Sequence, residues 1–118
     1  MSVALLEEWK ERLRMQDWTI VLEDCCDPAH MTTDDPDIVG HTEWEEASRT
    51  AKVQIISPDL YGKRVTPFDY EQILVHELMH LKTSLITDNG NALQDRITHQ
   101  LVEDLACALV DAKRHNLP

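Results

Sequence analysis

His76 and His80 stand four positions apart, with Glu77 directly after the first, in the run His76-Glu77-Leu78-Met79-His80. On a helix, side chains at i and i+4 leave the same face about 5 to 6 Å apart at Cβ. Two imidazoles so placed can both reach one Zn²⁺ at about 2.0 to 2.1 Å. The glutamate lies beside such an ion rather than on it. From there it can take a proton from a metal-bound water, whose pKa zinc lowers toward about 7, and pass it on to a leaving amine. The chemistry expected of this spacing is zinc-dependent hydrolysis of a peptide bond, with Glu77 as general base and then general acid. Apolar Leu74, Val75, Leu78, Met79 and Leu81 surround the run, which predicts a buried helix that holds its ligands rigidly. Two buried histidines and a glutamate need partners there.

A catalytic zinc takes three protein ligands and leaves one position open. The break at Asp88-Asn89-Gly90-Asn91 separates the motif from a second helical pattern. If the two helices pair antiparallel across a turn between Asn89 and Gly90, His80 lies opposite His99 and His76 opposite Glu103. These two are themselves i and i+4 on one face. One completes the metal site and the other holds a ligand ring in place. Spacing leaves both assignments open.

The elements that must position these residues follow from pattern. Ser2 to Gln16 reads as a helix with Val3, Leu6, Trp9 and Leu13 on one face. Trp18 to Glu23 is a β-type run, and Asp24 to Asp37 is an acidic loop with two prolines. Gly40 to Glu45 reads as a short strand. Arg49 to Ser57 reads as a longer one, with Ala51, Val53 and Ile55 alternating against polar neighbours. Ser57 to Thr66 is expected to be a loop. The motif helix starts at Thr66-Pro67 or at the capping-box pattern from Asp69, and runs to about Ile86. The last helix spans about Leu93 to His115, with Leu93, Ile97, Leu101, Leu105, Leu109 and Ala112 as its expected buried stripe. The fold class is α+β: an N-terminal helix, a small mostly antiparallel sheet, the motif helix and a long C-terminal helix. A single domain over residues 1–118 suits this length.

In this arrangement the chain resembles the gluzincin clan of metallopeptidases. It is most similar to the clan's minimal forms and to the small metallopeptidase-like proteins of phage and prokaryotic genomes. The His-Glu-x-x-His run is the specific part of the likeness. The Trp18-Thr19-Ile20 strand, the Ala51 to Ile56 strand and the apolar final helix match in order and spacing. The resemblance implies a zincin-like fold with Zn²⁺ as cofactor and a peptide or protein substrate. It also implies that the second helix supplies a third ligand, followed four residues on by a supporting group. Laid onto this sequence, the ligand slot falls on His99 and the support slot on Glu103. Relatives carry glutamate in the ligand slot, so either His99 replaces it or the ligand has moved to Glu103; His99 is the expected choice and Glu103 its rival. The resemblance further implies an edge strand that takes an extended peptide, for which Arg49 to Ser57 is the candidate. An oxyanion-stabilising side chain is implied as well, with His30, His41, Tyr61 and Tyr70 as candidates.

Other residues carry weaker signals. Cys25 and Cys26 with His30 make a poor second metal site, because adjacent cysteines seldom both reach one tetrahedral ion. The cluster Asp34-Asp35-Pro36-Asp37 lacks the glycine and distal glutamate of a calcium loop. Cys107 is expected in the core, as are Trp9 and Trp18, while Trp44 sits among Glu43, Glu45 and Glu46 as a contact candidate. A net charge of −11 disfavours binding to nucleic acid or anionic membrane. No apolar run approaches the roughly 20 residues of a membrane span. Three cysteines, an acidic N-terminal region and no basic leader pattern make the cytoplasm the expected location. The competing reading, from a different class, is a non-catalytic binding or regulatory protein in which zinc holds two helices together.

Overall fold

The computed structural model describes residues 2–31, 38–84 and 92–115. Its elements are α1 (Ser2–Arg12), β1 (Thr19–Cys26), a 3₁₀ turn at Pro28–His30, β2 (Gly40–Glu45), β3 (Thr50–Ile56), α2 (Pro58–Tyr61), α3 (Tyr70–Lys82) and α4 (Ala92–His115). The break at Asp88 to Asn91 and the Asp34 to Asp37 cluster lie outside the described residues, whereas α3 ends at Lys82 with Thr83 as its C-cap, short of the expected end near Ile86. No described helix is long and apolar enough to cross a membrane.

The fold is α+β, with four helices and a three-stranded sheet among the described residues. The strand order is β1-β3-β2. β2 and β3 pair antiparallel, with Thr42 opposite Val53 and Trp44 opposite Ala51. β1 and β3 pair parallel, with Ile20 opposite Ala51 and Leu22 opposite Val53. The sheet is therefore mixed, not mostly antiparallel. A tight turn at residues 46–49 forces β3 to run back along β2. β2 itself forms part of the long crossover that a parallel β1–β3 pair requires. Being central, β3 has both edges paired, so Arg49 to Ser57 is not the open edge the resemblance implied. Among the described residues the outer strands are β1 and β2, and β2 is the one beside the groove that His76 and His80 line.

Element boundaries depart from expectation for local reasons. α1 stops at Arg12 because Arg14 adopts a left-handed φ of 57° and the Met15 amide turns back to the Lys10 carbonyl at 2.7 Å. Pro58 ends β3 as expected, but then opens the single-turn helix α2 in place of continuous loop. α3 begins at Tyr70, capped by Asp69, whose Oδ1 accepts from the Gln72 amide at 3.1 Å. Of the two starts the sequence allows, the second is used.

One apolar core unites the elements. Val53 and Ile55 of β3 are fully buried against Leu74, Val75 and Leu78 of α3, and Leu6 and Trp9 close one end. α4 contributes Val102, Ala106 and Val110, all completely buried. This reverses the expected face of the last helix. Leu93, Ile97, Leu101 and Leu105 point outward, at 63, 60, 50 and 36% exposure, and only Leu109 of that stripe packs against the core. Small side chains let α4 lie close on α3, a geometry that a row of leucines would hold apart.

Candidate metal centre

α3 places its two histidines by simple helical phase. Leu74, Val75, Leu78 and Leu81 lock one side into the core, which turns His76 and His80 together toward α4. Their Nε2 atoms lie 3.2 Å apart. Two nitrogens each about 2.0 to 2.1 Å from one tetrahedral ion would be separated by about 3.3 Å, so the pair fits a shared metal. His99 arrives from α4, its ring centroid 5.2 Å from that of His76 and 5.3 Å from that of His80. One ligand atom from each of the three rings lies within 4.8 Å of the others. Among the described residues this is the group of side chains that could hold a metal ion.

Glu103, one turn beyond His99, goes elsewhere. Its Oε2 accepts from His76 Nδ1 at 2.6 Å, which leaves the His76 Nε2 lone pair free for an ion. Its Oε1 accepts from the Cys107 thiol at 3.3 Å and from Gln72 Nε2 at 3.4 Å. Both carboxylate oxygens are thus engaged away from the three-nitrogen cluster. Cys107 is exposed beside Glu103 rather than in the core, because it lies off the Val102–Ala106–Val110 face. Burial, and the deprotonation-opposing charge of Glu103, push its thiol pKa up and keep it a donor.

Burial favours the neutral form of the two α3 rings. Burial lowers the pKa of His76, against the pull of Glu103. His80 is lowered to about 4 by burial and by the neighbouring rings of His76, His99 and His41. A neutral imidazole is the form that ligates.

Glu77 lies one residue around the helix and faces the sheet. It is 5% exposed, and Thr42 Oγ1 donates to its Oε1 at 2.6 Å. Gly40, at the start of β2, lies so close that a Cβ there would come 2.9 Å from Glu77 Oε2 and 3.0 Å from Ile73 Cγ2. Burial raises the Glu77 pKa to about 7, with the Thr42 hydrogen bond opposing the shift. Neither Thr42 nor Gly40 was singled out from sequence. A glycine opening a strand marks a place where something approaches the backbone closely, and that signal could have drawn attention to it.

A groove of about 900 Å³ opens over the cluster, lined by β2, by the segment around α2, and by His76, Glu77, His80, His99 and Glu103. Trp44 lines its wall from β2. Of the four candidates for oxyanion stabilisation, His41 and Tyr61 line the groove. The Tyr61 hydroxyl donates to the Thr66 carbonyl at 2.6 Å, and the Tyr70 hydroxyl is engaged by Asp24. The side chains of His30 and Cys25 lie outside the described residues, while the Cys26 thiol donates to the Glu23 carbonyl at 3.4 Å. Compared with known proteins, the chain matches no family model, no curated protein and no solved structure.

Proposed function

We propose that the protein is a zinc-dependent peptide hydrolase of zincin-like architecture, with His76, His80 and His99 as metal ligands and Glu77 as the proton-transferring group. The observation that carries this reading is the division of labour between His99 and Glu103. Three imidazole nitrogens converge, while the one nearby carboxylate is held on the back of a ligand ring. A three-ligand set leaves a coordination position open, the arrangement of catalytic rather than structural zinc. The rival reading, a zinc-stabilised binding or regulatory protein, calls for a closed site. Glu103 would be the natural fourth ligand, and it is committed to His76 Nδ1.

A zinc ion in this cluster would supply a Lewis acid for a carbonyl oxygen and a neutral-pH source of hydroxide. The chain's own part is to orient and to move protons. Thr42 fixes Glu77 through Oε1, leaving Oε2 to take a proton and return it to the departing amine. In the metal-free chain burial holds that carboxyl near 7, and a bound cation would favour its ionised, proton-accepting form. Glu103 keeps His76 in the Nδ1–H tautomer. β2 is an outer strand of the sheet among the described residues and lies beside the groove, where an extended peptide can add as a further strand.

The test combines metal analysis with turnover. Protein prepared without chelator should contain about one zinc per chain. A peptide library should yield cleavage that chelation abolishes and zinc restores. A chain that holds no zinc after refolding with the metal would end the reading; one that holds zinc and cleaves nothing would transfer support to the binding protein.

A further inference from the structure

α4 is apolar on two opposite faces. Val102, Ala106 and Val110 face the core, and Ile97, Leu101 and Leu105 face outward at 60, 50 and 36% exposure. A surface helix ordinarily covers its outer side with charge. Contiguous exposed aliphatic residues on one face mark an interaction surface. His99 and Glu103 lie on the other side of the helix, toward the groove, so this face is separate from the metal centre.

We propose that this outward face of α4 joins two copies of the chain in an antiparallel, twofold-symmetric dimer. The occupant is identified by the charges that flank the stripe. Arg96, Gln100 and Asp104 follow one another at four-residue intervals, forming a ridge alongside Ile97, Leu101 and Leu105. The ridge is opposite in charge at its two ends and neutral at its middle. When two antiparallel copies meet beside Gln100, Arg96 of each faces Asp104 of the other, twice by symmetry. A parallel pair would set Arg96 on Arg96 and Asp104 on Asp104, which is repulsive. In the same register, Ile97 inserts between Leu101 and Leu105 of the second copy. The net charge of −11 on each chain opposes association. Affinity therefore comes from the apolar row, and the charged row selects orientation.

The experiment is sedimentation velocity on the zinc-loaded chain, residues 1–118, over a dilution series. The wild type should show a concentration-dependent dimer. Leu101→Glu, present twice in a symmetric interface, should raise the dimer dissociation constant at least about 100-fold. Its circular dichroism spectrum should be unchanged, because Leu101 is not part of the core. Arg96→Asp should weaken the dimer by about tenfold, and the added Asp104→Arg should restore it. A wild type that stays monomeric throughout overturns the proposal. So does a dimer that Leu101→Glu leaves intact, or a double variant no tighter than Arg96→Asp alone. Zinc content and peptide cleavage are read on the same samples and do not depend on the outcome.

Discussion

Glu103 Oε2 lies 2.6 Å from His76 Nδ1, a contact between α4 and α3 that holds the His76 ring from behind. The same carboxylate is steadied through Oε1 by Gln72 and Cys107. His99, one turn earlier on α4, turns its ring toward the other two histidines instead. α4 thereby both adds a third imidazole to the cluster and braces one of the other two.

Removing the two α4 side chains should then have unequal effects on metal binding. Loss of a supporting carboxylate weakens a metal site by about 10- to 100-fold. If His99 is the third ligand as proposed, His99→Ala should weaken zinc binding more than Glu103→Ala does. A competition titration against a chromophoric chelator at fixed pH ranks the two directly. A larger loss for Glu103→Ala would reverse the assignment and make the site one of two histidines and a glutamate.

Glu77→Gln keeps size and one hydrogen-bond acceptor but removes the base. Zinc content should be retained while peptide cleavage falls by at least about 100-fold. Stability should hold or rise, since the wild-type carboxyl is buried and its charged form is disfavoured there. Turnover equal to wild type would remove Glu77 from the mechanism. A large loss of stability would mean its role is structural.

β2 supports Glu77 through two positions that can be tested separately. Thr42→Val keeps the shape and deletes the 2.6 Å hydrogen bond, leaving a buried carboxyl oxygen without its donor. That should cost about 1 to 3 kcal/mol of stability, and Thr42→Ser should recover most of it. Gly40→Ala forces a methyl to 2.9 Å from Glu77 Oε2, so the strand or the carboxyl must move. Overpacking of this kind costs about 1 to 3 kcal/mol. Chemical denaturation measures both, and a neutral Gly40→Ala would show that the Glu77 carboxyl gives way without cost.

The contrast between these residues explains how much the sequence could reveal. His76, Glu77 and His80 are legible because helical phase alone sets their relation. His99 and Glu103 are reachable by counting if the two helices pair antiparallel, although the count does not foretell their different contacts. Thr42 and Gly40 depend on β2 meeting α3 across thirty-five residues, which no local pattern encodes. The parallel pairing of β1 with β3 is non-local in the same way. The outward face of α4 misleads for a different reason. Both of its faces are apolar, and its larger side chains make the more conspicuous pattern. Close packing selected the face with smaller ones, Val102, Ala106 and Val110.

Away from the metal centre, a charged cluster ties the start of α3 to α1 and to the end of α4. The Trp9 indole donates to Glu71 Oε2 at 2.7 Å, and Lys113 reaches the same oxygen. Arg114 donates to Asp69 through both terminal nitrogens, at 2.8 and 2.9 Å, so the residue that caps α3 is also clamped from α4. The Arg114 hydrogen bonds lower the Asp69 pKa. Burial alone would raise Glu71, but Lys113, Trp9 and Arg114 outweigh it and the net shift is downward. Carboxyls with folded pKa values below their unfolded ones stabilise the protein above the unfolded values, 4.5 for Glu71 and 3.8 for Asp69. That contribution disappears as pH falls through the lower, folded values. Glu71→Gln retains an acceptor for Trp9 but loses the charge facing Lys113 and Arg114. Its stability deficit relative to wild type should therefore be constant from neutral pH down to about 4.5 and should shrink below that. Denaturant titrations at stepped pH on metal-free protein isolate this effect from zinc release. A deficit that persists undiminished at about pH 3 would assign the cluster's contribution to packing and hydrogen bonding rather than to charge.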